Sequence, residues 1–319
     1  MKKGLKIIFM GTPEFAKGVL SCIVKSDHDV LAVVTAPDRP AGRGQKLKQS
    51  AVKTYSESSN IPVLQPEKLR DESFIEALRK YNVDLFVVVA FRMLPEMVWS
   101  IPKKGTINLH ASLLPNYRGA APINWAIMNG EKVSGVTTFF INEKIDTGDI
   151  IKSKSVDISE NMNAGQLHDV LMIDGAELVV ETLNHLKVDD FKREKQTDKQ
   201  NMTLKHAPKI FKEDCKIQWD LNAQVIHNKI RGLSPYPGAW CKIKSKGATL
   251  QFKLFSSFLT DKIPVTGDTN LKATENGILF PCKDLFILID ELQMEGKRRM
   301  NFKDFLAGNK IEDFALIQE

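Results

Sequence analysis

An amide and an imidazole stand two residues apart in Asn108-Leu109-His110, where an apolar run meets a loop rich in Pro and Gly. In a strand, residues i and i+2 point to the same face. Asn108 and His110 therefore face one site, and Ile107 and Leu109 face the packed side. A neutral N–H donor beside a titratable ring suits acyl chemistry: one group holds a developing oxyanion while the other moves or stabilises protons. Taken alone, an Asn-x-His is more often an ordinary strand end. Asp146-Thr147-Gly148-Asp149, a carboxylate in a turn sequence, is by itself an ordinary turn.

In this chain the pair is followed by Ser112-Leu113-Leu114-Pro115-Asn116-Tyr117-Arg118-Gly119. The whole run resembles the signature of the folate-dependent formyltransferases. Three further segments occur in that family's order: Gly11-Thr12-Pro13-Glu14-Phe15-Ala16, Pro37-Asp38-Arg39-Pro40-Ala41-Gly42-Arg43-Gly44 and Ser234-Pro235-Tyr236-Pro237-Gly238-Ala239-Trp240. They resemble the branch of the family that acts on methionyl-initiator tRNA. The likeness runs from about Lys6 to about Leu306. It implies transfer of a formyl group from 10-formyltetrahydrofolate to the free amino group of methionyl-tRNA, giving N-formylmethionyl-tRNA for translation initiation. It makes Asp146 the third catalytic residue beside Asn108 and His110, and Ser112, Leu113, Leu114 and Pro115 the folate-contacting segment. Residues 87–90 end the neighbouring strand and are a second candidate wall. One departure is visible: the family's usual Ala-Tyr-Gly reads Ala90-Phe91-Arg92 here. Arg92 thus replaces a Gly near the expected folate pocket.

The elements that must position these groups alternate through the first half. Strand-like runs at 5–10, 30–36, 83–90, 106–110 and 135–141 interleave with helical patterns at 13–25, 50–59, 67–81 and 122–129. Thr12 is the expected N-cap of the first helix, with Pro13 at its first position. Such alternation predicts an α/β fold with a mostly parallel sheet, ligands lying beyond the carboxyl ends of the strands. Residues 163–186 read as a long amphipathic helix, and 189–208 are polar with little apolar periodicity. Beyond 209 a helix at 221–231 precedes short strands at 239–243, 249–259, 277–281 and 285–292, with Asn276-Gly277 as a hairpin signal. The expected organisation is a formyltransferase catalytic domain over 1–189, a linker over 190–208 and a tRNA-binding domain over 209–319. The resemblance implies a Rossmann-like sheet followed by a smaller OB-like β-barrel.

The 319 residues suffice for two cores. No apolar stretch reaches the ~18 residues of a membrane span. Cys22, Cys215, Cys241 and Cys282 are scattered, which fits neither a zinc site nor a disulfide framework, so no metal and a reduced cytoplasmic setting are expected; a monomer is expected as well. Gly11 is not followed by a Gly-x-Gly-x-x-Gly pattern, which disfavours a dehydrogenase. The net charge of +6 is modest, yet the fifteen positions from Arg39 to Lys53 hold five basic side chains and no acidic one. Arg39, Arg43 and Lys46 are the candidate tRNA contacts, because Arg can pair two-pronged with phosphate or a base edge. An aminosugar nucleotide is the alternative acceptor. A glycinamide nucleotide is disfavoured by the second domain, and a tRNA-binding module with a dead catalytic domain by the intact Asn108, His110 and Asp146.

Overall fold

The computed structural model describes residues 4–41, 46–189, 191–196 and 203–317. Two compact units emerge: Met1–Gly119, Val133–Asp157 and His168–Ala207 in one, and Ala120–Lys132, Ile158–Leu167 and Pro208–Glu319 in the other.

The first unit contains strands β1 (Lys6–Gly11), β2 (Asp29–Val34), β3 (Arg39–Ala41), β4 (Lys46–Lys48), β5 (Val63–Leu64), β6 (Leu85–Val89), β7 (Thr106–His110), β8 (Arg118–Gly119), β9 (Val133–Phe140), β10 (Ile150–Asp157) and β11 (His206–Ala207). Seven of them form one sheet in the order β10-β9-β7-β6-β1-β2-β5. From β5 to β7 every pairing is parallel, and β9 and β10 add an antiparallel edge. Ile7, Ile8, Phe9 and Met10 of β1 are all fully buried. Such an unbroken apolar run is the mark of a parallel strand covered on both faces. Phe74, Ile75 and Leu78 of the helix Glu72–Lys80 share a core with Ile8, Met10, Phe86 and Val88. The long helix Ala164–Val188 presses so closely on β7 that a Cβ on Gly175 would lie 2.8 Å from Leu109 Cδ2. Its start is a reciprocal cap, in which Asn163 and Gln166 side chains each accept the other's main-chain N–H at 2.9 Å. The first helix differs from expectation: it runs Glu14–Val24 with Pro13, not Thr12, at the N-cap position and no side-chain cap.

The second unit is antiparallel. Its strands are β12 (Ala239–Ser245), β13 (Ala248–Leu259), β14 (Lys272–Ala273), β15 (Ile278–Pro281), β16 (Phe286–Met294), β17 (Met300–Asn301) and β18 (Phe314–Leu316). They run β14-β15-β16-β13-β12-β18, with β17 on β16. The far ends meet, because Leu316 N–H donates to Thr269 O at 2.8 Å and Asn270 pairs with Ala315. The sheet therefore curls toward the expected OB-like barrel, which removes most of its open edge. Trp219 stacked on Phe280, and Phe252 against Phe305 and Phe314, fill its interior. The helix Ala223–Gly232 ties in the two early segments of this unit. Gly232 O accepts from Asn124 Nδ2 at 2.7 Å, Arg231 donates to Met162 O at 2.9 Å, and His227 Nε2 donates to Glu160 O at 3.3 Å.

Candidate catalytic site

Strand β7 runs Thr106–His110, as its alternation predicts. Asn108 stands in register with Val88 of parallel β6 and with Phe139 of antiparallel β9, and His110 with Thr137. Both side chains thus sit at the carboxyl end of the parallel sheet, where open α/β sheets take ligands. Leu109, between them, is buried under Gly175.

His110 is buried, and its Nε2 lies 2.8 Å from the Tyr117 carbonyl oxygen. A carbonyl only accepts, so Nε2 carries the hydrogen. Nδ1 faces Asp146 Oδ2 at 3.7 Å. With its one hydrogen on Nε2, a neutral ring offers Asp146 only a lone pair; a proton arriving at Nδ1 finds a carboxylate waiting. Asp146 Oδ2 is itself held by Gly119 N–H at 3.0 Å. The structure thus brings His110 and Asp146 together. Asn108 shares their face by strand period, and its Oδ1 is buried with no hydrogen-bond partner among the described residues. Leaving such a group unpaired costs about 1–3 kcal/mol, a cost that a bound ligand would relieve.

The backbone around these groups is tightly constrained. Gly148 passes so near β9 that a Cβ there would lie 1.6 Å from Phe140 O, so only glycine fits two residues after Asp146. Thr137, which sequence reading did not single out, organises the loop after β7. Its hydroxyl donates to Ser112 O at 2.7 Å and accepts from Leu114 N–H at 3.3 Å. No periodicity marks a threonine for that role.

The other anticipated residues fall as follows. Ser112 and Leu114 are buried, and Ser112 Oγ donates to Asn116 O at 2.7 Å; Leu113 and Pro115 are half-buried. Val87, Val88 and Val89 are buried, and Ala90 is exposed with φ 46°. Arg92 donates to Glu67 O at 3.0 Å and Pro66 O at 2.8 Å. Burial, and after it the charge of Arg39, push its pKa down. Residues 39–48 are framed by an antiparallel hairpin, with Arg39 directly opposite Lys48 and both exposed. Like charges facing each other disfavour the hairpin unless an anion comes between them. The hairpin's root is fixed by Asp38, whose carboxyl is held below its ordinary range first by Lys53 and then by Gln65. Lys46 lies on β4, and Arg43 lies outside the described residues.

Among the described residues no three His, Cys, Asp or Glu side chains gather as a metal site. None of their helices is long and apolar enough to cross a membrane.

Comparison with known proteins places this geometry among relatives. Residues 5–183 match the family model described as formyl transferase, and 209–310 that of the formyl transferase C-terminal domain. The chain is 49% identical to a methionyl-tRNA formyltransferase of Flavobacterium johnsoniae, over 98% of this chain and 99% of the relative. It is 46% identical to a methionyl-tRNA formyltransferase of Flavobacterium psychrophilum, over 99% of both. Among solved structures, an N-formyltransferase from Helicobacter canadensis in complex with folinic acid and dTDP-3-aminofucose matches with a TM-score of 0.66 at 22% identity. That match covers 93% of this chain and all of the other, and is a likeness of fold.

Proposed function

Because the chain belongs to the formyl transferase family, we propose that it transfers the formyl group of 10-formyltetrahydrofolate to the free amino group of methionyl-initiator tRNA. The product is N-formylmethionyl-tRNA, used in translation initiation. The chain is a one-carbon transferase, and its relatives' near-full-length identity supports the acceptor. The observation that carries the chemistry is the His110–Asp146 pair, with Asn108 on the same strand face and its Oδ1 buried without a partner among the described residues.

The bound donor supplies an electrophilic formyl carbon and a leaving nitrogen that needs a proton. As the methionine amine forms its bond to that carbon, the carbonyl electron pair moves onto oxygen. Asn108 Nδ2 donates to this oxyanion, a contact worth about 3–4 kcal/mol in comparable acyl transfers. Tyr117 O fixes the His110 ring through Nε2, which leaves Nδ1 as the atom that takes up the amine's proton. Asp146, 3.7 Å away, stabilises the resulting imidazolium. The oxyanion's electron pair then re-forms the carbonyl, the bond from the formyl carbon to the donor's nitrogen breaks, and the imidazolium returns the proton to that leaving nitrogen. Leu113 and Pro115, with the exposed Ala90 at the end of the neighbouring strand, offer an apolar wall to the folate rings.

Arg39 and Lys48 on the β3–β4 hairpin, with Arg43 and Lys46, contact the tRNA. The residues from 209 onward, whose exposed Lys242 and Lys244 alternate along β12, hold phosphates. The enzyme works as a monomer in the cytoplasm. The test is a purified reaction of parent and Asn108→Ala proteins with 10-formyltetrahydrofolate and methionyl-tRNA. Formylmethionine should be released from the parent's tRNA product after mild hydrolysis. A parent protein that formylates a dTDP-aminosugar but leaves methionyl-tRNA untouched would overturn the proposal.

A further inference from the structure

We propose that Gln196 is a positioning residue that holds the Asp146 turn, and through it the carboxylate, against His110; its part in catalysis rests on the function proposed above. Gln196 lies within the described residues 191–196, which are fastened along the edge of the first unit. Phe191 packs on the Phe140 ring at 5.9 Å between centroids, and the Arg193 guanidinium lies 4.1 Å above the same ring. Glu194 and Ile150 exchange both main-chain hydrogen bonds, at 2.8 and 2.9 Å. This fastening brings the Gln196 amide onto the catalytic turn.

There the amide is used fully. Nε2 donates to Asp146 O at 3.1 Å and to Gly148 O at 2.8 Å. Oε1 accepts from Arg118 Nε at 3.1 Å and from its terminal nitrogen at 2.7 Å. A guanidinium only donates and carbonyls only accept, so the amide has one workable orientation. The four bonds join two pieces of backbone that Asp146 needs. One is the turn in which Asp146 itself sits at φ 53°, a conformation that side-chain-bearing residues rarely adopt. The other is β8, where Arg118 is followed by Gly119, whose N–H holds the Asp146 carboxylate at 3.0 Å. Releasing Gln196 frees both ends of that clamp and lets the carboxylate drift from its 3.7 Å approach to His110 Nδ1.

The substitutions Gln196→Glu and Gln196→Ala separate the two halves of the clamp. Glu keeps an oxygen for Arg118 but turns an oxygen toward the two turn carbonyls; Ala removes every bond. Both should lower kcat for methionyl-tRNA by about 10²-fold, the scale of an ångström-sized misplacement, with KM for tRNA and folate little changed. Combined with Asp146→Asn, Gln196→Ala should add almost nothing, because it acts through that carboxylate. Amide hydrogen exchange gives a readout that needs no substrate. Gly119 should exchange about tenfold faster in both variants while the urea midpoint stays near the parent's. Variants with parental kcat and parental Gly119 exchange would overturn the inference, as would full additivity with Asp146→Asn. A parent that does not formylate methionyl-tRNA would overturn the proposed function instead, and Gly119 exchange would still decide the role of Gln196.

Discussion

Replacing Asp146 by Asn keeps the size of the side chain and an oxygen for the Gly119 N–H, and removes only the charge facing His110. The magnitude follows from the geometry. The two side chains are 7% and 12% exposed, so solvent screens them little, and Nδ1 lies 3.7 Å from Oδ2. At an effective dielectric of about 20, a unit-charge pair at that separation attracts by about 4 kcal/mol. If His110 carries the proton at Nδ1 in the transition state and that attraction is lost, the chemical step slows by about 10³-fold. The assay is single-turnover formyl transfer by rapid quench at saturating 10-formyltetrahydrofolate and methionyl-tRNA, with both KM values measured separately. Loss in the chemical step with near-parental KM is expected, because the charge pair forms only as the proton arrives. A variant within about fivefold of the parent in single turnover would refute the assignment of proton transfer to the His110–Asp146 pair.

Asn108→Ala should lower kcat by about 100-fold or more through loss of an oxyanion donor, with folate affinity measured by fluorescence titration nearly unchanged. Arg43→Ala and Arg39→Ala should impair formylation of methionyl-tRNA without altering folate binding, and the parent's tRNA affinity should fall steeply with added salt; a salt-insensitive affinity would remove the basic hairpin from the interface. Burial holds His28 and His227 below their ordinary 6.5, and His28 Nδ1 must stay unprotonated to accept Leu5 N–H. As pH falls through about 6.5 the unfolded chain therefore takes up protons that the folded chain refuses, so this stability is complete above that range and is lost on acidification. Urea midpoints should fall between about pH 7.5 and 5.5, less so in His28→Gln, and a midpoint that rises on acidification would contradict the sign.

The parallel sheet was legible because its strands are apolar throughout, and β7 because its alternation survives to His110. Edge strand β10 escaped because Lys152 and Lys154 interrupt its apolar pattern at half-buried positions, where they pair with Glu181 and Asp174, and strand pairing is carried by the main chain. The polar stretch after 189 read as a linker for a related reason. Its described residues attach through Glu194 main-chain bonds, the Gln196 amide and the short β11, none of which leaves an apolar period. Segments 120–132 and 158–167 join the second unit through carbonyls capped by Asn124, Arg231 and His227, partners far away in sequence. The Asn108 and His110 pair was visible by period alone. That Asp146 meets His110 came from family likeness, since 36 positions of chain separate them and only folding closes the gap.

The most direct test of the central claim is a competition in one vessel. The purified protein is given 10-formyltetrahydrofolate with methionyl-tRNA and a dTDP-aminosugar at equal concentration, and both formylated products are quantified by mass spectrometry as kcat/KM ratios. Methionyl-tRNA should be preferred by about 10⁴-fold or more, the scale at which a site built around one acceptor's polar groups rejects another. Equal use of the two acceptors, or preference for the sugar, would contradict it.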